Sequence, residues 1–224
     1  MNRNLESFLE EADFSFLRKD HDKITQKHKL IWENVYLPSQ IKKVNENNLS
    51  NDLKEKAFNT LINRGHLLKV IHEYFNFKNF AEVGTAEGYQ TFVMADHIGN
   101  KGQCYTCDIR DVRYNKYSEE FKSNCFFTLG DSSLMAQTIL ENKQKIDLFW
   151  VDGNHSSGGV LYDVIRLSKT QSKNCIWVFD DFNKRFGAFN EIAFLSRFGK
   201  SVSFDMGITG SGGKNTIMIL EGRI

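Results

Sequence analysis

Phe80-Ala81-Glu82-Val83-Gly84-Thr85-Ala86-Glu87-Gly88-Tyr89-Gln90-Thr91-Phe92 is the stretch that decides the fold. Asn79 to Val83 is apolar enough for a buried parallel strand, the chain turns through Gly84 and Gly88, and Tyr89 to Ile98 has the pattern of a helix. That order places backbone N–H groups and a helix N-terminus at the carboxyl edge of a sheet. The two glycines remove Cβ atoms where a ligand must touch the backbone.

Outward from this turn, apolar runs and helical patterns alternate, which predicts a doubly wound, mostly parallel α/β sheet with helices on both faces. The expected strands are Asn79–Val83, Gln103–Ile109, Cys125–Leu129, Ile146–Val151, Cys175–Phe179, Ser201–Met206 and Asn215–Leu220. The expected helices between them are Tyr89–Ile98, Ser118–Lys122, Ser132–Asn142, Gly158–Thr170 and Gly187–Phe198. The last two strands are joined by the glycine-rich Gly207–Gly213 without a helix, so the sheet should end on an antiparallel pair. Gly212-Gly213-Lys214 is no phosphate loop, because the spacing is wrong and a strand follows where a helix is required.

Residues 1–78 read as a helical extension, with 79–224 as the ligand-binding domain. Leu5, Phe8, Leu9, Ala12, Phe16 and Leu17 share one helix face, and Ile24 to Tyr36 forms a second helix expected to end near Leu37-Pro38. A third helix starts near Ser50 to Asp52 and continues, or restarts after Gly65, to Tyr74. The extension is expected to cap an acceptor, to pair subunits as a homo-oligomer, or both.

Ligands of open α/β sheets bind outside the carboxyl ends of the strands, and acids gather there. Asp108 ends the second strand, Asp131 and Ser132 follow the third, Asp152 and His155 the fourth, and Asp180 and Asp181 the fifth. Asp131 also suits the N-cap of the helix after it, and Asp108 could be a plain loop acid. Three carboxylates at neighbouring strand ends repel one another unless a positive group lies among them. A hard divalent cation such as Mg²⁺ is one answer, and Lys184 or Arg185 as counter-charges is the other.

Glu82-x-Gly84-x-x-x-Gly88 resembles the motif of class I S-adenosylmethionine-dependent methyltransferases, whereas a dinucleotide fingerprint would want glycine at Ala86. The resemblance implies a Rossmann-like methyltransferase fold and cofactor contacts from Glu82, Gly84, Thr85, Gly88, Tyr89, Asp108, Ile109, Asp131, Ser132 and Asp152. Asp108 would meet the ribose hydroxyls, and Asp131 with Ser132 the adenine edge. Asp152-Gly153-Asn154-His155-Ser156 and Asp180-Asp181 resemble metal-dependent O-methyltransferases of the macrolide-sugar and cephalosporin-hydroxylase-like groups. That likeness implies Mg²⁺ held by Asp152, Asp180 and Asp181. It also implies catalysis by Asp152 with His155 as general base, and a sugar hydroxyl as acceptor. Gln90 and Gly159-Val160 depart from the pattern of these relatives. A phenolic acceptor is the nearest alternative; a dinucleotide-dependent oxidoreductase and a non-catalytic nucleotide-binding module stand in other classes.

A formal net charge of +1 over 224 residues carries no nucleic-acid footprint and no polybasic membrane anchor. No stretch has the apolar length of a membrane span, and the N-terminus lacks a signal-peptide pattern, so a cytoplasmic location is expected. Cys104-x-x-Cys107 lies on a strand, where a redox pair would open a helix, so the four cysteines read as buried thiols.

Overall fold

The central parallel strands are buried on both faces, as their near-continuous apolar runs require. The computed structural model describes residues 3–14 and 26–224; Phe16, Leu17 and Ile24, expected on helix faces, lie outside the described residues. One sheet contains β1 (Phe80–Val83), β2 (Cys104–Asp108), β3 (Cys125–Leu129), β4 (Ile146–Val151), β5 (Gln171–Phe179), β6 (Lys200–Ile208) and β7 (Lys214–Glu221). Its order is β3-β2-β1-β4-β5-β7-β6, with β7 antiparallel to both β5 and β6 and the remaining pairs parallel. The order reverses direction between β1 and β4, which opens the crevice where such sheets bind ligands.

Side chains alternate across the strands and split the core in two. Phe80, Leu148, Trp150, Ile176 and Val178 face α5 (Tyr89–Ile98) and the N-terminal helices. Ala81, Val83, Phe149, Val151 and Trp177 face α7 (Ser132–Glu141), α8 (Gly159–Leu167) and α9 (Phe189–Leu195). A short α6 (Asn115–Glu120) crosses between β2 and β3.

The N-terminal helices are α1 (Leu5–Glu11), α2 (Gln26–Ile31), α3 (Leu37–Glu46) and α4 (Asn51–Phe75). The helix expected to stop before Pro38 does not stop. Trp32–Tyr36 widens into a π-helical turn that runs straight into α3. Pro38 then lies in the first turn of α3, directly after the widened turn. Ser50 caps α4, its side chain accepting from the Leu53 N–H, and the helix runs unbroken through Gly65. Gly65 faces Val93 and Tyr89, so the small residue lets α4 lie close on α5. α4 also packs on β6, which joins the extension to the sheet's core.

The α4–α5 contact carries an acid-sensitive pair. His72 and His97 lie edge to face, ring centroids 5.0 Å apart. Burial, with His97 beside one ring and Lys69 beside the other, lowers both from 6.5 to about 4. Both are therefore neutral in the fold, while the unfolded chain takes up protons as pH falls below about 6.5. Stability from this pair is complete above about 6.5 and declines as pH falls towards about 4, by roughly 2–4 kcal/mol in all. Urea unfolding near neutrality and at about pH 5 checks it. A His97→Gln variant, which cannot take the proton, should lose less stability between the two conditions than the parent.

Candidate active site

A cavity of about 680 Å³ opens at the carboxyl ends of β1 to β4, a size that suits a nucleoside-bearing ligand. Its lining brings together Gly84, Asp108, Ile109, Asp131, Ser132 and Asp152 of the expected residues, from four separate strand ends. Gly84, at φ +93°, runs so close to the Asp152 carbonyl that a Cβ there would collide with it. The Asp108 carboxylate is held by the turn itself: the Ala86 N–H donates to Oδ2 at 2.8 Å and the Arg110 N–H to Oδ1 at 3.1 Å. Each oxygen keeps a second lone pair for a ligand hydroxyl. Ile109 is exposed at the rim.

Asp131 does both jobs foreseen for it. It caps α7, with Oδ1 accepting from the Ser133 and Leu134 N–H groups, and it also lines the cavity. Tyr162 donates its hydroxyl to Asp131 Oδ2 at 2.8 Å. Hydrogen bonds from Ser133 and Tyr162 hold this carboxyl below its ordinary range. Ser132 donates to Asp163 Oδ1 at 2.7 Å, and burial raises Asp163 to about 6.

Glu82, Thr85, Gly88 and Tyr89 are not in the cavity lining. Glu82 shares the strand face of Phe80, so it points into the layer beneath α5 and accepts from the Thr91 and Thr106 hydroxyls. Burial and the charge of Asp152 raise its carboxyl well above the usual range. Thr85 pairs with the Thr106 hydroxyl. Gly88 caps α5 at φ +97°, where a Cβ would strike the Phe92 ring. Tyr89 stacks on Tyr36 with centroids 5.3 Å apart and meets Trp32 edge-on, which ties the turn to the N-terminal helices.

Asp152 belongs both to the cavity and to a second cluster beside it. Successive strand residues point to opposite faces, yet Asp180 and Asp181 turn the same way because Asp181 adopts a left-handed φ of +51°. Both carboxylates accept from the Asn215 amide, at 2.9 and 3.2 Å. Arg64 of α4 reaches the strand ends, with Nη2 2.7 Å from Asp180 Oδ2 and Nη1 3.6 Å from Asp152 Oδ2. His155 bridges the rest, Nε2 at 3.1 Å from Asp152 Oδ1 and Nδ1 at 3.0 Å from Asp181 Oδ2. All six carboxylate oxygens thus face an N–H donor.

Two expectations change here. The counter-charge among the carboxylates is Arg64, a residue from the extension, and neither Lys184 nor Arg185; Arg185 lies over the Phe186 ring. Mg²⁺ on Asp152, Asp180 and Asp181 does not fit this arrangement, and among the described residues no group of three or more acids, histidines or cysteines is disposed to hold a metal ion. His155 is no base poised near neutrality. Burial works against its charged form, but the Asp152 and Asp181 carboxylates outweigh burial and raise it to about 10. Both of its ring nitrogens are committed to these carboxylates.

Arg64, Asn215, Tyr162 and Asp163 escaped the motif reading; Tyr162 is exposed and left no trace, but the other three did. Arg64 falls in register with Leu61, Leu67 and Leu68 on the inward stripe of α4, and Asp163 with Val160, Val164 and Leu167 on that of α8. Asn215 alternates with Ile217 and Ile219 on the buried side of β7. A polar group on a buried stripe needs a partner, and that signal was available in each case.

Residues 81–182 match a family model described as a methyltransferase domain. No curated protein matches the chain. The O-methyltransferase TomG from Streptomyces achromogenes, involved in tomaymycin synthesis and solved with S-adenosylmethionine, is 13% identical with a TM-score of 0.58, over 77% of this chain and 90% of that one. An O-methyltransferase from Bacillus cereus in complex with S-adenosylhomocysteine is also 13% identical with a TM-score of 0.58, over 89% of this chain and 98% of that one. The shared fold is Rossmann-like, and the segment that builds the cavity is a methyltransferase domain. The match over residues 81–182, on this shared fold, supports a methyltransferase.

Proposed function

We propose that the protein transfers the methyl group of S-adenosylmethionine to a hydroxyl oxygen of a small polar acceptor, a sugar in the first instance. The observation that carries this reading is the cavity in which Gly84, Asp108, Asp131 and Asp152 converge. Such a set suits an adenosyl ligand, with Asp108 for the ribose hydroxyls, and Asp131, oriented by Tyr162, for the base edge. The cofactor supplies a methyl group made electrophilic by a sulfonium. The sugar rests on the likeness of Asp152-Gly153-Asn154-His155-Ser156 and Asp180-Asp181 to sugar O-methyltransferases. Four free thiols accord with a cytoplasmic location, and none of the described helices is long and apolar enough to cross a membrane.

Asp152 stands where cofactor cavity and carboxylate cluster meet, and in this reading it takes the proton of the acceptor hydroxyl. A free sugar hydroxyl is a very weak acid, but its proton becomes strongly acidic as the oxygen gains a methyl group, so a carboxylate suffices late in the transfer. His155, fixed between Asp152 and Asp181, orients that carboxylate. Most of the acceleration comes from holding the acceptor oxygen in line with the methyl group. In this reading the N-terminal helices cap the acceptor side, since Arg64 of α4 reaches Asp152 and Tyr36 stacks on Tyr89 at the glycine turn.

Two measurements test the reading: calorimetry with S-adenosylhomocysteine, and methyl transfer to nucleotide sugars, free sugars and catechols followed by mass spectrometry. Micromolar binding with one methyl group gained by a sugar is the expected result. Methylated catechol with unmodified sugars would replace the acceptor class. No binding of S-adenosylhomocysteine would end the reading.

A further inference from the structure

We infer that Arg64 stands where a divalent cation would, so that the Asp152–Asp180–Asp181 cluster is complete without metal and excludes Mg²⁺. The inference rests on the methyl-transfer reading for its place in catalysis, but on the geometry of the cluster for its chemistry. Mg²⁺ demands near-octahedral oxygen ligands at about 2.0–2.1 Å, most of them carboxylate or water. Here the oxygens that would turn to an ion are turned to nitrogen donors. The guanidinium spans Asp180 and Asp152, the imidazole spans Asp152 and Asp181, and Asn215 spans Asp181 and Asp180, closing a ring.

Arg64 is itself held. The residue is 5% exposed, Nε donates to Asn215 Oδ1 at 3.3 Å, and its guanidinium lies 5.9 Å from the Trp150 ring centroid. A planar fork with several donors suits two carboxylates at once, which a flexible ammonium matches poorly. An incoming ion would have to displace this buried cation from α4, and two positive charges would then share one small site. Arg64 is accordingly a positioning residue. It sets the orientation of Asp152 from the far side of the cluster and makes α4 part of the site.

Mn²⁺, read by its electron paramagnetic resonance as a stand-in for Mg²⁺, tests this at about pH 8 with and without S-adenosylhomocysteine. The parent protein should leave the free-ion signal unchanged up to millimolar Mn²⁺, and methyl transfer should be unaffected by a chelator. Arg64→Met, which keeps length and removes charge, should gain one saturable Mn²⁺ site at least tenfold tighter than any in the parent. Arg64→Lys should bind no more Mn²⁺ than the parent. A single Mn²⁺ site in the parent that is lost in Asp180→Asn would overturn the inference, and so would a folded Arg64→Met protein with no gain. If Arg64→Met does not fold, the parent titration decides alone. Calorimetry of S-adenosylhomocysteine on the same sample separates this outcome from the methyl-transfer reading: absent cofactor binding sinks that reading and leaves the Mn²⁺ result standing.

Discussion

Asp108→Ala should weaken S-adenosylhomocysteine binding by about 100-fold, the equivalent of two charge-assisted hydrogen bonds at roughly 1.5 kcal/mol each. Two effects act together. The variant removes the carboxylate offered to the ribose, and it frees the Ala86 and Arg110 N–H groups that the carboxylate holds in place. Ala86 stands at φ +46°, a conformation that alanine adopts at a cost, so the turn depends on that tether. Asp108→Asn keeps an acceptor for one of the two N–H groups and should lose only about tenfold. Isothermal calorimetry measures both. An Asp108→Ala protein that binds as tightly as the parent would remove Asp108 from the cofactor site.

Arg64→Ala should lower stability by about 3–5 kcal/mol, because removing one partner of a buried pair strands the other. Asp180 is 3% exposed; burial pushes its carboxyl up, the guanidinium opposes that push, and Asp152 and Asp181 add to it. In a domain of this size that loss lowers Tm by roughly 10 °C. Adding Asp180→Asn to Arg64→Ala should restore at least about 1 kcal/mol, since no buried carboxylate is then left alone. Thermal or urea unfolding of the two single variants and the double variant gives the coupling directly. Strict additivity would show that the pair contributes nothing beyond its separate contacts.

The order of elements was legible because period and punctuation are local. Gly84 and Gly88 after an apolar run define a strand, a turn and a helix start, and Tyr89–Ile98 forms the helix expected of it. The absence of a helix between Met206 and Asn215 forces a hairpin, hence the antiparallel β7. Pro38 misled for a local reason as well: a proline reads as a stop unless the turn before it widens, and Trp32–Tyr36 widens.

The carboxylates at the strand ends were likewise determined by the sequence, because a parallel sheet puts the residue after each strand at one edge. How they are neutralised was not. Arg64 lies 88 positions before Asp152 and 116 before Asp180 along the chain, and only the packing of α4 on the sheet brings it between them. The left-handed turn at Asp181 and the reach of Asn215 from an antiparallel neighbour are decided in the same way. Glu82 shows the converse, since the motif marks it for the ligand while strand alternation sends it beneath α5. The sequence by itself determined the sheet, the glycine turn and the acids gathered at one edge, because hydrophobic period and backbone sterics act over a few residues. Only the tertiary structure decided which charge stands among those acids, because ionic partners are chosen by distance in space.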